Sequence, residues 1–340
     1  MAKIIKYTKY IIGGFRVRKR LSLLLVAVLL VGLVVSPTYA KQPRIGLIFA
    51  EGGLGDQSFN DAAYRGLMQA KEELGVEVNY VEPADIAEME DHQRAYADLG
   101  YDLIVTIGFI HANALKEVSA DYPNLKFAIV DDVVDNPNVT SLVFEEHEGS
   151  FLVGVVAGLM TKTDKVGFVG GMEVPLIRKF QVGFEEGVKW ANPKAQVFVN
   201  YAGSFGDPGK GRELAVSQNE RGADIVYHAS GGTGGGVIDA AKSNGFYAIG
   251  VDSDQDYMAP GTVLTSMIKR VDLAVFEVIK SLVDGTLEPG VRSFGIEDGG
   301  VGTSDFTYTK DLIPQSVFEK IEEAKAKISS GEIVVTNPLN

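Results

Sequence analysis

The sequence predicts an α/β protein made of two similar lobes of parallel sheet. Apolar runs typical of buried strands alternate with amphipathic stretches of helical period along most of the chain. The runs form two series, and each series contains four runs at closely matching intervals. They begin near Ile45, Val76, Leu103 and Phe127 in the first half, and near Val166, Val197, Ile225 and Ala248 in the second. We therefore expect two doubly wound lobes with a cleft between them.

Helical periodicity predicts the segments that connect these strands. A further short apolar run at 263–268 predicts a ninth strand. A helix rich in glycine and alanine at 149–160 joins the two halves. The last helix has one apolar face and would hold Pro314 in its first turn. The other predicted helices span residues 61–74, 86–99, 176–191, 210–221, 237–243 and 271–283, and the last spans 311–329.

Residues 1–40 have the organisation of a secretory signal peptide. Seven lysines and arginines, without any acidic residue, precede the apolar segment 21–35, and small residues follow at Thr38 and Ala40. The apolar segment is shorter than the roughly 20 residues of a membrane-spanning helix. We expect cleavage after Ala40, with an uncleaved membrane anchor as the alternative.

Charge and cysteine content narrow the possible partners. Without the first 40 residues, 25 lysines and arginines stand against 45 aspartates and glutamates, a balance of −20 that disfavours nucleic acid and anionic membranes. The chain has no cysteine, which excludes disulfides, thiolate metal sites and a cysteine-linked lipid anchor.

Parallel sheets bind ligands beyond the carboxyl ends of their strands, so the residues that follow each strand are the candidate site. The first strand leads into a glycine turn and a helix start within 52–66, and 230–236 is a second glycine cluster. The candidates are Asp56, Phe59 and Asn60 after the first strand, Asp131 after the fourth, Phe205 after the sixth, Gly231 after the seventh, Asp252 after the eighth and Lys269 after the ninth.

These residue types suit a flat, hydroxylated ligand. Phe59 and Phe205 would sandwich an aromatic ring if they face one another from the two lobes. The carboxylates of Asp131 and Asp252 accept hydrogen bonds from a vicinal diol or a ring N–H, and Lys269 donates to a hydroxyl. The glycine cluster offers backbone N–H groups, although it matches no nucleotide phosphate motif.

Each candidate also has a purely structural alternative. Either ring can anchor its loop by packing in the core, and strand-end aspartates commonly cap the following helix. Asp131 and Asp132 form an acidic pair, but no loop of converging oxygens accompanies it, so we expect no metal. The four histidines lack the HExxH spacing, and no GxSxG motif is present, so we expect neither an enzyme nor a cofactor.

Several motifs, taken together and in order, resemble the basic membrane protein family of ABC-transporter substrate-binding proteins, in particular its purine nucleoside receptors. The resemblance covers nearly all of residues 43–308. It is carried by GDQSFND at 55–61, KFAIVDD at 126–132, EGSFLVGVVAGLMTKTDKVGFVGG at 148–171, GSFGDPGKG at 203–211, ASGGTGGGV at 229–237, GVDSDQ at 250–255 and TSMIKR at 265–270.

This resemblance implies a type I periplasmic-binding-protein fold with a hinged cleft between its lobes. The lobes would comprise residues 41–147 plus about 270–292, and 148–269 plus about 293–340. It also implies residue roles. Phe59 and Phe205 would stack on the base, Asn60 and Asp131 would contact its edges, and Asp252, Lys269 and the backbone at Gly231 would hold the ribose. Asp56 would either touch the ligand or only shape its loop.

The function implied is a receptor that delivers a purine nucleoside to an ABC permease and its ATPase at the inner membrane. We expect a protein that is soluble in the periplasm, because the cysteine that many relatives carry after the signal is missing here. We also expect a monomer, because docking on the permease requires both lobes to move. The alternatives are a receptor for riboflavin or another flat ligand, a nucleoside-processing enzyme, and a ligand-sensing module of the same fold.

Overall fold

The computed structural model describes residues 42–339, of which residues 43–339 belong to one compact unit. The predicted signal peptide and the alternative membrane anchor lie outside the described residues. Within the described part of the chain, no helix has the length and apolar character needed to cross a membrane.

Twelve strands in residues 42–339 form two six-stranded sheets. In chain order they are β1 (Arg44–Ile48), β2 (Glu77–Val81), β3 (Leu103–Ile107), β4 (Lys126–Val130), β5 (Val139–Phe144), β6 (Lys165–Gly170), β7 (Gln196–Tyr201), β8 (Ile225–Ala229), β9 (Tyr247–Asp252), β10 (Val263–Lys269), β11 (Gly290–Phe294) and β12 (Val301–Thr303). The nine predicted strands are all present and start within one residue of their expected positions. Strands β5, β11 and β12 were not predicted from the sequence.

The two sheets have the same strand order when the strands are numbered in chain order within each sheet. The first sheet runs β11-β5-β4-β3-β1-β2 and is parallel throughout. The second runs β12-β10-β9-β8-β6-β7, in which only the β10–β12 pair is antiparallel. Central strands such as β3 and β8 are buried along their whole length, as parallel strands covered on both faces must be.

The helices cover both faces of each sheet. They are α1 (Phe59–Leu74), α2 (Glu88–Asp98), α3 (Ala112–Asp121), α4 (Glu146–Met160), α5 (Pro175–Ala191), α6 (Pro208–Glu220), α7 (Thr233–Asn244), α8 (Val271–Val283) and α9 (Gln315–Ser329). On the first sheet, α1 and α8 pack on one face and α2 and α3 on the other. On the second sheet, α4, α5 and α9 pack on one face and α6 and α7 on the other.

The predicted helices are present with ends shifted by at most four residues, and α3 is an additional helix that was not predicted. One detail was wrong. Pro314 does not lie in the first turn of the last helix but just before it, because α9 begins at Gln315 and Pro314 has extended backbone with ψ 146°. That placement leaves the helical hydrogen bonds unaffected by the missing N–H of proline.

The chain passes between the two sheets three times. The first passage follows β5 and runs through α4, the second lies between β10 and α8, and the third joins β11 to β12. Helices α4 and α5 approach closely because glycines face them: a Cβ on Gly183 or Gly187 would clash with the carbonyl oxygens of His147 and Phe151. The exact lobe boundaries given above remain a prediction.

Candidate functional site

A cleft lies between the carboxyl ends of the two sheets and encloses about 650 Å3, its open mouth included. Residues from both lobes line it. All eight residues predicted from the strand ends are among them, namely Asp56, Phe59, Asn60, Asp131, Phe205, Gly231, Asp252 and Lys269. The residues predicted because they follow strands therefore line one cleft, although they lie up to 213 positions apart (56 to 269) in the sequence.

The loop after β1 is shaped by the Asp56 carboxylate. It accepts hydrogen bonds from the backbone N–H groups of Ser58 at 2.8 Å, Asn60 at 2.8 Å and Asp61 at 3.1 Å. Ser58 occupies the N-cap position of α1 without a capping bond from its own side chain, so Asp56 supplies the cap. Burial raises the pKa of Asp56, and these backbone hydrogen bonds limit the rise.

The amide of Asn60 ties the start of α1 back to the end of β1. Its Oδ1 accepts the backbone N–H of Ala50 at 3.0 Å, and its Nδ2 donates to the carbonyl oxygen of Glu51 at 3.4 Å. The residue is only 2% exposed. The orientation of this amide at the cleft wall is therefore fixed by the backbone around it.

The two predicted aromatic residues are half-buried, and each lies against a glycine. A Cβ on Gly108 would sit 3.5 Å from Cε1 of Phe59, and a Cβ on Gly171 would clash with the ring of Phe205. A third ring, Phe109, meets Phe205 edge to face with centroids 6.4 Å apart. Phe109 also lines the cleft and was not found from the sequence.

Asp131 and Asp252 both adopt left-handed backbone conformations, with φ of 72° and 63°. Non-glycine residues rarely do so, and such conformations are concentrated at ligand sites. Asp252 accepts a hydrogen bond from the Ser58 hydroxyl of the other lobe. Burial raises the pKa of Asp252 to about 7, against the lowering effects of Lys269 and the Ser58 hydrogen bond.

Lys269 is the cation of the cleft and is almost completely buried, at 1% exposure. Its Nζ donates to Oδ2 of Asp131 at 2.6 Å and lies 3.0 Å from Oε1 of Glu146. The rings of Phe59 and Phe144 have their centroids 5.1 and 5.0 Å from the ammonium, and that of Phe180 is 5.5 Å away. These surroundings hold the ammonium in place by charge, hydrogen bonding and cation–π contact.

Two charged residues behind this wall were missed by the sequence analysis. Glu146 is completely buried, and its Oε2 lies 2.5 Å from Nζ of Lys179, which is 4% exposed. Lys179 also donates to the carbonyl oxygen of Phe144. Neither Glu146 nor Lys179 lines the cleft.

The glycine cluster divides into two parts with different roles. Gly231 has φ 55° and lies at the cleft beside Phe205, whose carbonyl oxygen accepts the N–H of Thr233 at 3.0 Å. Helix α7 begins at Thr233, earlier than predicted, so Gly234 and Gly236 are helical. They allow close packing, because a Cβ on either would clash with His228 or with the carbonyl oxygen of Pro208.

The lobes also meet beside the cleft, through side chains that do not line it. We call this contact the latch, and it consists of Gln57, Ser58 and Arg65 of the first lobe with Ser253, Gln255 and Tyr257 of the second. Tyr257 donates to Oε1 of Gln57 at 2.7 Å, Gln255 donates to the Gln57 carbonyl at 3.1 Å, and Arg65 donates to Ser253 at 2.8 Å. Ser253 donates to the carbonyl of Ser58 at 3.2 Å. The latch thus joins the two lobes by four hydrogen bonds.

The cleft therefore offers aromatic walls, the carboxylates of Glu51, Asp56, Asp131 and Asp252, one ammonium and a backbone turn. Within residues 42–339, no cluster of three or more His, Cys, Asp or Glu side chains has the arrangement of a metal site. An enclosed cleft between two lobes, apolar in part and with few polar groups, is suited to binding one small molecule. Fold and site together define a two-lobed α/β ligand-binding protein.

The chain belongs to the family of PnrA-like ABC transporter substrate-binding proteins, whose sequence pattern matches residues 44–338. The resemblance to the basic membrane protein family is thus confirmed. The chain is 39% identical over 319 residues to the CD4+ T-cell-stimulating antigen of Listeria monocytogenes, covering 87% of this chain and 88% of that protein. It is 35% identical over 301 residues to basic membrane protein A of Borreliella afzelii, covering 86% and 91%.

The fold is similar to that of a solved ABC transporter solute-binding protein from Aeropyrum pernix K1. The two share 31% identity with a TM-score of 0.83, and the match covers 88% of this chain and 94% of the other. Together with the two doubly wound sheets, this similarity confirms the predicted type I periplasmic-binding-protein fold.

Proposed function

We propose that this substrate-binding protein takes a purine nucleoside into the cleft and presents it to an ABC permease. The observation that carries the proposal is the composition of one cleft: half-buried Phe59 and Phe205 come from opposite lobes, with Asp131, Asp252 and Lys269 beside them. A nucleoside is a flat base joined to a vicinal diol, and both halves find suitable partners here.

The base would stack against the rings of Phe59 and Phe205. Base–aromatic stacking contributes about 1–3 kcal/mol per base and accepts any base, because each has a π face. Selectivity for purines would then come from polar groups at the base edge. The Oδ1 of Asp131, which is buried and accepts no hydrogen bond from the described residues, supports this role for Asp131.

The ribose would lie toward Asp252 and Lys269. A carboxylate accepts hydrogen bonds from two adjacent hydroxyls, and an ammonium donates to the oxygen of one of them. Gly231, with its left-handed backbone and no side chain, would allow close approach of the main chain. Asp56 is committed to three backbone N–H groups, which supports a role in shaping the loop rather than in contacting the ligand.

The charges of the cleft favour an unphosphorylated ligand. Its ionisable lining residues are Glu51, Asp56, Asp131, Asp252 and Lys269. The ammonium of Lys269 is already shared between two carboxylates. A phosphate would therefore meet four carboxylates, and the residues that line the cleft include no arginine to bind it.

The proposal places the receptor in the periplasm, freed of residues 1–40 and without a lipid anchor, where it would serve as a monomer. Its partners would be the permease and ATPase of an importer at the inner membrane. Release of the mature protein by osmotic shock would support this placement. Retention in the membrane fraction after a salt wash would contradict it.

Calorimetric titration is the deciding experiment. Protein produced from the full chain, stripped of ligand by unfolding and refolded, is titrated with adenosine, guanosine, inosine, cytidine and riboflavin. Saturable binding of the purine nucleosides, with riboflavin silent, would support the proposal. Silence of every nucleoside would overturn it, and riboflavin binding would then identify the alternative ligand class.

Incubation with inosine, followed by chromatography, tests for base release, and turnover by homogeneous protein would contradict a receptor-only role.

A further inference from the structure

A buried ion pair supports Lys269 from behind the cleft wall. Glu146 begins α4, in the first passage between the lobes, and Lys179 lies on α5 of the second lobe. The two oxygens of the Glu146 carboxylate each face one ammonium, Lys269 at 3.0 Å and Lys179 at 2.5 Å. Removing charges from water costs several kcal/mol per ion, so such a pair is a poor means of gaining stability alone.

The arrangement restricts the direction in which Lys269 can donate. An ammonium has three N–H donors. One is used by Asp131 at 2.6 Å, and the Glu146 carboxylate forms an ion pair with Nζ at 3.0 Å without hydrogen-bond geometry. Three aromatic rings lie around the ammonium, with centroids 5.0–5.5 Å from Nζ. The N–H groups that Asp131 does not take remain for a ligand, and the charge of Glu146 helps to decide where they point.

The charges of this network balance. Asp131 and Glu146 carry two negative charges against two positive charges on Lys179 and Lys269. The lysines attract Glu146 strongly enough that its pKa lies below the usual range despite complete burial. The same carboxylates raise the pKa of Lys269, against the effect of its burial. Glu146 is thus held ionised and in contact with Lys269.

We infer that Glu146, held in place by Lys179, is a positioning residue: it aims the ammonium of Lys269 at the hydroxyl groups of the ligand and so sets the selectivity of the cleft for hydroxylated ligands. The identity of the ligand as a nucleoside rests on the function proposed above. The positioning of Lys269 rests only on the geometry of residues 131, 146, 179 and 269.

The test compares two ligands that share a base and differ in their sugar hydroxyls. Inosine and 2′,3′-dideoxyinosine are titrated into the wild type and Glu146→Gln, and Glu148→Gln is the control. Glu148 is in the first turn of the same helix, is half-buried, and accepts a backbone N–H from Ile296 at 3.1 Å. It has no contact with Lys269 among the described residues.

We expect Glu146→Gln to weaken inosine binding by about 10- to 100-fold, the range for a hydrogen bond to a charged group. Binding of dideoxyinosine should fall by no more than about threefold, because it lacks the hydroxyls that Lys269 would contact. Glu148→Gln should leave the ratio of the two affinities unchanged. Equal losses for both ligands in Glu146→Gln would indicate a merely structural role and overturn the inference.

Two further variants separate position from charge. Glu146→Asp keeps the charge but withdraws it by one methylene group, so we expect an intermediate ratio. It also serves if Glu146→Gln does not fold. The double variant Glu146→Gln/Lys179→Gln keeps the charges balanced without restoring the contact to Lys269. Selectivity should remain lost in it, and full recovery would show that only total charge matters, which would overturn the inference.

A ligand-free measurement keeps this inference distinct from the proposed function. The buried ammonium of Lys269 should give a slowly exchanging 15N-detected resonance in the wild-type protein. It should shift or broaden away in Glu146→Gln and persist in Glu148→Gln. If no nucleoside binds the wild type, the proposed function fails, and this resonance still decides the positioning. An unchanged resonance in Glu146→Gln would overturn it.

Discussion

The ammonium of Lys269 lies 2.6 Å from the carboxylate of Asp131, although the two residues end strands of different sheets. Asp131 follows β4 of the first sheet, and Lys269 is the last residue of β10 in the second. A side chain from each lobe therefore meets at the floor of the cleft, where both line the cavity. The ligand site and the connection between the lobes share this ion pair.

Removing either predicted stacking ring should weaken binding of any base. Phe59→Ala or Phe205→Ala should each reduce the affinity for inosine by about 1–3 kcal/mol, the range measured for bases stacked on aromatic side chains. Phe205→Tyr retains the ring and serves as the control, with affinity near that of the wild type. Calorimetry measures the change, and unchanged affinity in both alanine variants would remove the sandwich from the proposal.

Asp252 should distinguish a nucleoside from its free base. Asp252→Asn keeps the shape of the side chain but loses the charge that would accept the ribose hydroxyls. We expect inosine to lose about 10- to 100-fold in affinity, and hypoxanthine to lose no more than about threefold. Competition against a labelled nucleoside measures both. Equal losses for the two compounds would place Asp252 away from the sugar.

Acid should lower the affinity for inosine, while protonation of Asp252 itself adds to the stability of the fold. The pKa of Asp252 is raised by burial to about 7, and that of Asp256 to about 6, from 3.8. These two carboxyls bind protons more tightly in the native protein than in the unfolded chain, so each contributes stability as the pH falls from 8 to 5. His111 and His228 oppose this contribution, because burial lowers the pKa of each to about 4. Ribose hydroxyls need the ionised Asp252, so affinity for inosine should fall over the same interval, by at most about tenfold per pH unit below 7.

Thermal unfolding of ligand-free protein and titrations at pH 5.5, 7 and 8 test this pair of trends. Besides burial, four neighbours affect the pKa of Asp252: it is lowered by Lys269 and Ser58 and raised by Asp56 and Asp131. Asp252→Asn is the control and should flatten the affinity profile. A wild-type affinity that is constant between pH 5.5 and 8 would contradict the role of an ionised Asp252.

The latch should alter affinity without altering selectivity. Tyr257→Phe removes the hydroxyl that donates to Gln57, and neither residue lines the cleft. We expect the affinities for inosine and hypoxanthine to fall by the same factor, about 2- to 12-fold for one lost hydrogen bond. Stopped-flow measurements should assign the change to faster dissociation. Tyr308→Phe, an exposed residue outside the latch, is the matched control, and an unequal effect on the two ligands would contradict this role.

Close packing of α4 against α5 should make Gly187 sensitive to a single methyl group. A Cβ at this position would clash with the backbone carbonyl of Phe151, so Gly187→Ala should destabilise the fold by about 1–3 kcal/mol. Gly235→Ala is the control within a helix, since a Cβ there has no neighbour within 4 Å. Alanine is the better helix former by up to about 1 kcal/mol, so the control should be neutral or more stable in denaturant titrations.

Repetition of apolar runs and helical stretches made most of the fold predictable. A helix or a clear turn separates each of the nine predicted strands from its neighbours. Each strand therefore had two independent signals, its own apolar run and the helix or turn beside it. Strand β5 follows β4 after only eight residues, without a helix between them. Strand β12 has only three residues and β11 is largely exposed, so neither has the continuous apolar run of a central strand.

The omission of β5 explains why Glu146 was missed, and Lys179 and Phe109 were missed for other reasons. Glu146 follows β5 by two positions, so the rule that searched beyond each strand would have reached it had β5 been recognised. Lys179 lies on the buried face of amphipathic α5, between Ile177 and Phe180, and a lysine in that position was the available signal. Phe109 lies in a short 3-10 turn after β3, in a segment where apolar residues are common and its ring direction depends on tertiary packing.

The separation between the latch and the cleft lining has a consequence for evolution. Substitutions in the latch can change how long the lobes stay together while the surface that recognises the ligand remains intact. Asp131, Asp252 and Lys269 both line the cleft and join the lobes, but substitutions elsewhere in the lining can exchange one ligand for another while the contacts of the latch persist. Residence time and choice of cargo can therefore diverge separately among descendants of this receptor, each through its own set of positions.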